Sequence, residues 1–336
     1  MGKLLDLVIT HYLSPWEVGK PWFDSLAMQR GINFDDIGVI LVNDGEESRL
    51  DDELFKPYPF AVQNLTIEHG GIPISRNAGL DAADAEWVMV CDFDDCFLTV
   101  NALSFLLEAG KDESKVMFES DFLVEEPKKD GGMGYGMVEK GSILNHGKMY
   151  RLSWLREEGI RFHPKLPLHE DVYFNTLIRD VAGKDRIGTI SFPFYLWCFN
   201  KDSVSRNIPD WELTTYRHKI RQRSAITEEY RKRRMLGNIL LTVGKTIVEA
   251  FYEFQRTDWR GEERKEAYGI AEQWFSAFLR EYWDDYMKLD PRMTAALMKE
   301  TRNRMVDSGT FLAECMTFRD FIIHMMGDVE PVQMDL

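Results

Sequence analysis

One apolar run that ends in acids constrains this chain more than any other feature: Glu86-Trp-Val-Met-Val-Cys-Asp-Phe-Asp-Asp95. Its length, its valines and its polar bounds suit a buried strand of a parallel sheet better than a helix. In an open α/β sheet ligands sit beyond the carboxyl ends of the strands, which would put Asp92, Asp94 and Asp95 in a crevice. Two carboxylates about 4 Å apart repel by roughly 4 kcal/mol at an effective dielectric near 20, so such a cluster needs a proton or a cation. Oxygen ligands on a small open loop suit Mg²⁺ or Mn²⁺, most of all where a phosphate completes the shell. The same acids could instead cap a helix starting near Thr99 or lie on a solvated turn.

Other segments repeat the theme. Leu4 to Thr10 reads as a first strand, residues from about Val18 to Arg30 as a helix, and Ile37 to Val42 as a second strand ending in Asn43-Asp-Gly45. Asp44 therefore also leaves a strand terminus. Glu46 to Pro59 suits a loop with at most a short helix, Phe60 to Ile67 a third strand, and Ile74 to Asp84 a small-residue helix. That helix would deliver Arg76 at its first turn, where a phosphate meets the positive end of the dipole. The succession is an α/β pattern of Rossmann type. It contains no Gly-x-Gly-x-x-Gly after the first strand and no Walker motif, so NAD hydride transfer and P-loop chemistry lose their usual support.

Downstream, Val100 to Ala109 predicts a helix, Val116 to Phe118 a strand, and the Gly-rich segment Asp130 to Gly136 a loop or hairpin connection. Lys148 to Glu158 predicts a short helix, and Leu166 to Ile178 puts Glu170 and Asp171 at a helix N-terminus, where acids ordinarily cap. Arg186 to Phe199 reads as two strands. Beyond Pro209 long helical patterns dominate to about Met326, which sets the expected division at residues 1–209 and 210–336. The second part opens with Arg217, Lys219, Arg221, Arg223, Arg231, Lys232, Arg233 and Arg234, either a solvated helix face or a patch for a phosphorylated or nucleic-acid acceptor. Trp259, Trp274, Phe275, Phe278, Tyr282 and Trp283 are expected in the helical core and its seam with the first domain, a dimer contact or acceptor platform being the lesser reading.

With 336 residues, 44% of them hydrophobic, the chain can bury a substantial core. Its net charge of −15 argues against a whole surface built for nucleic acid or anionic membrane. Cys91, Cys96, Cys198 and Cys315 have no Cys-x-x-Cys spacing, which points away from a zinc site or dense disulfide scaffold and toward a reducing, cytoplasmic setting. Asp6 interrupts the first apolar run, so the N-terminus does not read as a signal peptide, and no window approaches the ~20 apolar residues of a membrane span.

Four features coincide in chain order: Asp44 in Val-Asn-Asp-Gly, Arg76 in Ile-Ser-Arg-Asn-Ala-Gly-Leu, Asp92-Phe-Asp-Asp95, and His-Glu170-Asp171-Val-Tyr-Phe. Together they resemble the GT-A glycosyltransferases of family 2, inverting enzymes that use nucleotide-sugar donors. The likeness runs over roughly residues 4 to 206, with Gly147 to Leu155 similar to the segment before the family's acidic pair and Tyr195 to Arg206 similar to its closing strand and loop.

The resemblance implies a GT-A (Rossmann-like) nucleotide-sugar-binding α/β domain; the helical patterns after it, which carry no recognisable family signal, predict a mainly α-helical C-terminal region for acceptor binding or oligomerisation. It implies Thr10 and Tyr12 beside the nucleobase, Asp44 on the base or ribose, Arg76 close to the diphosphate, and Arg206 in the closing loop among the nucleotide-sugar contacts. Asp92 would reach the ribose or support the metal shell, Asp94 would bind Mn²⁺ or Mg²⁺, and Asp171 would be the general base with Glu170 as its orienting partner. No third protein ligand is assigned; His146, His163 and His169 lie in the right region as structural or surrounding residues. The expected activity is metal-dependent inverting transfer from a nucleotide sugar, a UDP-sugar favoured, to a glycan, protein or modified nucleic acid. A homo-oligomer through the C-terminal helices is compatible with this pattern. A nucleotidyltransferase, or a non-catalytic nucleotide-sugar-binding protein, is the alternative.

Overall fold

A computed structural model describes residues 2–203, 206–208, 210–256, 261–275, 279–288, 290–310, 312–313 and 316–326. The chain falls into two compact units, residues 1–207 and 208–336.

The first unit is built on a seven-stranded sheet. Its middle is parallel: β1 (Leu5–His11) lies between β2 (Ile37–Asp44) and β4 (Trp87–Asp92), with β3 (Val62–Ile67) outside β2. Every residue of β2 is buried, and β4 is buried until Asp92, as expected for strands covered on both faces. Leu5, Leu7 and Ile9 face one layer of the core with Trp22, Phe23 and Leu26 of α1 (Trp16–Ala27). On α2 (Ile72–Ala82), a Cβ placed on Gly79 would fall 2.1 Å from Val8 Cγ1, so that glycine lets helix and strand approach closely. The register pairs Thr10 with both Val42 and Asp92, so the carboxyl ends of β1, β2 and β4 come level at one edge.

After β4 the chain makes β5 (Cys96–Phe97), α3 (Ala102–Ala109), β6 (Met117–Ser120), β7 (Phe122–Pro127) and β8 (Met133–Val138). The Gly-rich segment is thus an edge strand of a hairpin with β7. Then come β9 (Lys148–Arg151), α4 (Leu152–Glu157), α5 (Glu170–Ala182), β10 (Ile187–Ile190) and β11 (Tyr195–Trp197). The helix expected over 148–158 is two elements, because Lys148 to Arg151 pair antiparallel between β4 and β6. A smaller sheet runs in the order β5-β11-β7-β8. It starts directly after the acidic turn.

The second unit is helical: α6 (Trp211–Lys232), α7 (Leu236–Phe254), α8 (Glu262–Trp274), α9 (Arg280–Met287), α10 (Pro291–Asp307) and α11 (Phe318–Met326). Its centre is α7, where Val243, Ile247 and Val248 are fully buried. Trp274, Phe275, Tyr282 and Trp283 are buried as well, while Trp259, Phe278 and Cys315 lie outside the described residues. Of the eight cations from Arg217 to Arg234, Arg217, Lys219, Arg223, Arg231, Lys232 and Arg233 are engaged in ion pairs with glutamates of the same unit. Among the described residues, no helix is long and apolar enough to cross a membrane.

Candidate active site

The acidic turn after β4 owes its shape to Phe93. That ring is buried, 4.5 Å from the His11 ring, and a Cβ on Gly19 of α1 would fall 2.1 Å from its Cζ. With Phe93 anchored inward, Asp92 and Asp94 stay partly accessible on either side of it. Asp95 turns in completely: it is 0% exposed, accepting the Tyr195 hydroxyl on Oδ2 at 2.8 Å and the Cys198 amide on Oδ1 at 3.0 Å. Burial, then Asp92 and Asp94, push its carboxyl well above the usual range. Asp94 accepts Asn200 Nδ2 at 2.8 Å, and burial and Asp92 raise it too.

Arg76 differs from its expected place. The helix begins at Ile72, after Gly71 at φ 84° and with Pro73 in its first turn, so Arg76 lies in the second turn with its side chain 5% exposed. Its Nη2 donates to Asp92 Oδ1 at 2.7 Å and its Nη1 to Glu170 Oε1 at 2.6 Å. The guanidinium therefore joins the acidic turn to the acidic helix start. Burial opposes ionisation of Asp92, but Arg76 and then His146 outweigh it and hold the carboxyl well below the usual range. Glu170 goes the other way, pushed up to about 7 by burial against the pull of Arg76. Asp171 follows it in the first turn of α5 and accepts its neighbour's amide, Val172 N, on Oδ1 at 2.7 Å.

His146 completes this cluster. It is 6% exposed, its ring stacked on Trp197 at 4.7 Å, and its Nε2 stands 3.6 Å from both Asp92 Oδ2 and Asp95 Oδ2. Among the described residues, neither ring nitrogen has a hydrogen-bond partner. Two ligands about 2.1–2.2 Å from one cation stand roughly 3–3.6 Å apart, so a buried imidazole left unbonded at this distance from carboxylates fits a divalent-cation site. The loop is held from two sides. Lys148 Nζ donates to the carbonyls of Leu144 and His146, and Asn175 Nδ2 of α5 donates to Asn145 Oδ1 at 2.9 Å. Burial lowers the Lys148 ammonium to about 8.

At the other end of the edge, Asp44 is 4% exposed and fastens the loop before α2: Oδ1 accepts Gly70 N at 2.7 Å, and Oδ2 accepts Gly71 N at 2.9 Å with His69 Nδ1 at 3.1 Å. His69 in turn stacks on Tyr12 at 4.7 Å, leaving both rings about half exposed. Thr10, the last residue but one of β1, pairs with Asp92. Arg206 is exposed with its guanidinium 4.3 Å over the Phe199 ring. The structure thus gathers Thr10, Asp92, Asp94, Arg76, Glu170 and Asp171 along one edge, with Asp44 and Tyr12 on neighbouring turns. His69, Trp197, Asn200 and Lys148 were not singled out from sequence. Short-range pattern carries no sign of them, because each acts through a partner more than 20 residues distant or through its own loop.

Residues 6–123 match the family model described as Glycosyl transferase family 2, a segment that holds Asp44, Arg76 and Asp92 to Asp95 and ends before Glu170. Over that segment the chain is similar to the family 2 glycosyltransferases. Among solved structures, S. aureus TarS 1–349 in complex with UDP-GlcNAc superposes with a TM-score of 0.60 at 16% identity, covering 89% of this chain and 92% of that one. Against the longer S. aureus TarS structure the TM-score is 0.59 at 16% identity over 88% of this chain, which spans only 55% of that chain. The mannosyltransferase PcManGT from Pyrobaculum calidifontis, in complex with GDP-Man and Mn²⁺, gives 0.50 at 12% identity over 98% of this chain and 89% of that one. At these identities the likeness is one of fold, and the fold is GT-A with a helical C-terminal region. No curated protein matches the chain.

Proposed function

We propose that this glycosyltransferase performs metal-dependent, inverting transfer from a nucleotide sugar, a UDP-sugar favoured, with the chemistry divided between the two acidic clusters that Arg76 joins. The observation that carries the reading is the charge of that edge. Asp92, Asp94, Asp95, Glu170 and Asp171 lie along it, with the Arg76 guanidinium shared between Asp92 and Glu170 and the His146 imidazole beside Asp92 and Asp95, an excess of carboxylate that suits a bound cation.

Asp92 would hold a divalent ion with Asp94 beside it on the same turn, and His146 Nε2, 3.6 Å from Asp92 Oδ2, is close enough to join Asp92; the imidazole favours Mn²⁺ over Mg²⁺. Asp95 serves them from behind, since both of its oxygens already accept bonds from β11 and the residue after it. When bound, the ion neutralises charge developing on the departing nucleoside diphosphate. Tyr12, stacked on the His69 that Asp44 holds, offers the nucleobase a face, and Arg206 lies in the closing loop as a further donor contact. Arg76 contributes by fixing Asp92 and Glu170 rather than by meeting the diphosphate.

Asp171 takes the acceptor hydroxyl's proton on a carboxylate oxygen as that hydroxyl's oxygen attacks the anomeric carbon. The bond from that carbon to the diphosphate oxygen breaks on the opposite face, which inverts the centre. A positioned carboxylate contributes about 10²- to 10⁴-fold in this role. Glu170, locked to Arg76, keeps the start of α5 in place. Since six of the eight cations from Arg217 to Arg234 are already paired, a glycan or protein acceptor suits the chain better than a nucleic acid.

A panel of nucleotide sugars incubated with the protein and Mn²⁺, read by mass spectrometry for nucleoside diphosphate and transferred sugar, tests this. Nucleoside diphosphate release that stops on chelation is expected. Pyrophosphate release from a nucleoside triphosphate with inert nucleotide sugars would replace it with nucleotidyl transfer.

A further inference from the structure

Behind the acidic turn the fold brings two thiols together. Cys96 opens β5, Cys198 follows β11, and these strands pair antiparallel with Leu196 opposite Cys96. The two sulfurs stand 3.7 Å apart. Both cysteines are free and partly accessible, whereas Cys91 in β4 is free but buried. A disulfide holds its sulfurs about 2.05 Å apart, so closure requires movement of less than roughly 2 Å.

Their position gives that movement a consequence. Cys96 directly follows Asp95, the Cys198 amide donates to Asp95 Oδ1 at 3.0 Å, and Asn200 Nδ2 donates to Asp94 Oδ2 at 2.8 Å. The dithiol thus ties together the two segments that support the proposed cation-holding carboxylates.

From this geometry we propose that Cys96 and Cys198 form a modification site, closed to an intrachain disulfide by a small-molecule disulfide such as oxidised glutathione, and that closure weakens cation and nucleotide binding at the neighbouring carboxylates. The consequence rests on the donor-site reading above; the thiol chemistry does not. One cysteine thiolate attacks a sulfur of the small disulfide, forming a mixed disulfide and releasing one small thiolate. The second attacks the cysteine sulfur of that mixed disulfide and releases the other. Two cysteine thiols and one disulfide become one intrachain disulfide and two small thiols, which carry away the two protons.

The test treats the full chain with oxidised glutathione and maps its unreduced peptides by mass spectrometry. Calorimetry with UDP and Mn²⁺ then compares the reduced, oxidised and re-reduced protein. Expected are a Cys96–Cys198 cross-linked peptide lighter by two hydrogens, and UDP affinity about 10- to 100-fold weaker until reductant restores it, the range for disturbed supports of a metal site. Cys198→Ser should bind UDP like the reduced wild type and resist the oxidant. A glutathione adduct without the cross-link overturns the site. A cross-link with unchanged UDP affinity overturns its effect, as does equal oxidative loss in Cys198→Ser. A reduced protein that forms the cross-link yet binds no UDP with Mn²⁺ overturns the donor reading and the regulatory effect, leaving the dithiol standing.

Discussion

Two buried charge networks, one in each unit, are built from the same residue types and come out opposite. In the helical unit, Glu249 is 3% exposed and receives Lys219 at 2.7 Å, Arg304 at 3.0 Å and Arg223 at 3.3 Å. Burial opposes its charge, but Lys219, Arg223 and Arg304 outweigh it and draw the carboxyl down to about 2. At the sheet edge, a single guanidinium divides itself between Asp92 and Glu170, Asp94 and Asp95 are pushed up, and His146 stands unbonded nearby. A network whose charges balance supports a fold, whereas one with more carboxylates than cations suits a functional site. Buried charge alone does not mark a site. Its imbalance does.

The comparison breaks first if the sheet-edge acids can be neutralised without cost to chemistry. Asp171→Asn keeps size and shape, so transfer is expected to fall about 10²- to 10⁴-fold in steady-state assays while UDP affinity stays close to wild type. Near-normal turnover would remove Asp171 from the base role.

Arg76→Met tests whether the guanidinium holds the two clusters together. It leaves the buried Glu170 and the partly accessible Asp92 without their shared partner, at a cost of about 3–5 kcal/mol in denaturant melts. Adding Glu170→Gln should recover part of that loss, since the two changes share a partner. A cost within about 0.5 kcal/mol would mean that the acids find other support.

Acid sharpens the contrast from the helical side. Glu249 binds fewer protons folded than unfolded between its folded value of about 2 and the usual 4.5, so its contribution is complete above about 4.5 and is lost as pH falls through 2. The shift corresponds to roughly 3 kcal/mol. Hydrogen-exchange protection of α7 should decline across that window in the wild type and much less in Glu249→Gln. Equal decline in both would detach the acid response from this carboxylate.

Much of the frame was legible in sequence, because parallel strands advertise themselves by continuous apolar runs and by acids at their ends. Asp92 to Asp95 and Glu170 to Asp171 stood out for that reason, and Phe93 between the acids already carried the anchor. Arg76 was found but set in the wrong turn: the helix starts at Gly71-Ile-Pro73, and its guanidinium turns inward to two acids 16 and 94 residues away. Such a bond leaves no local trace. The strand at Lys148 to Arg151 was hidden in the same way, since only pairing with β4 and β6 makes it one. His146 had no periodicity to reveal it; its meaning comes from Trp197 beneath its ring and from carboxylates more than 50 residues earlier.

The central claim is that the acids of the sheet edge hold a divalent cation together with the donor's diphosphate. Calorimetric titration of UDP into the wild type, Asp94→Asn and Asp171→Asn, each with Mn²⁺ and with chelator, addresses it most directly. The account requires Mn²⁺-dependent binding in the wild type and Asp171→Asn, with about a 10-fold or greater loss in Asp94→Asn. UDP binding of equal strength with and without the metal in all three proteins would contradict it.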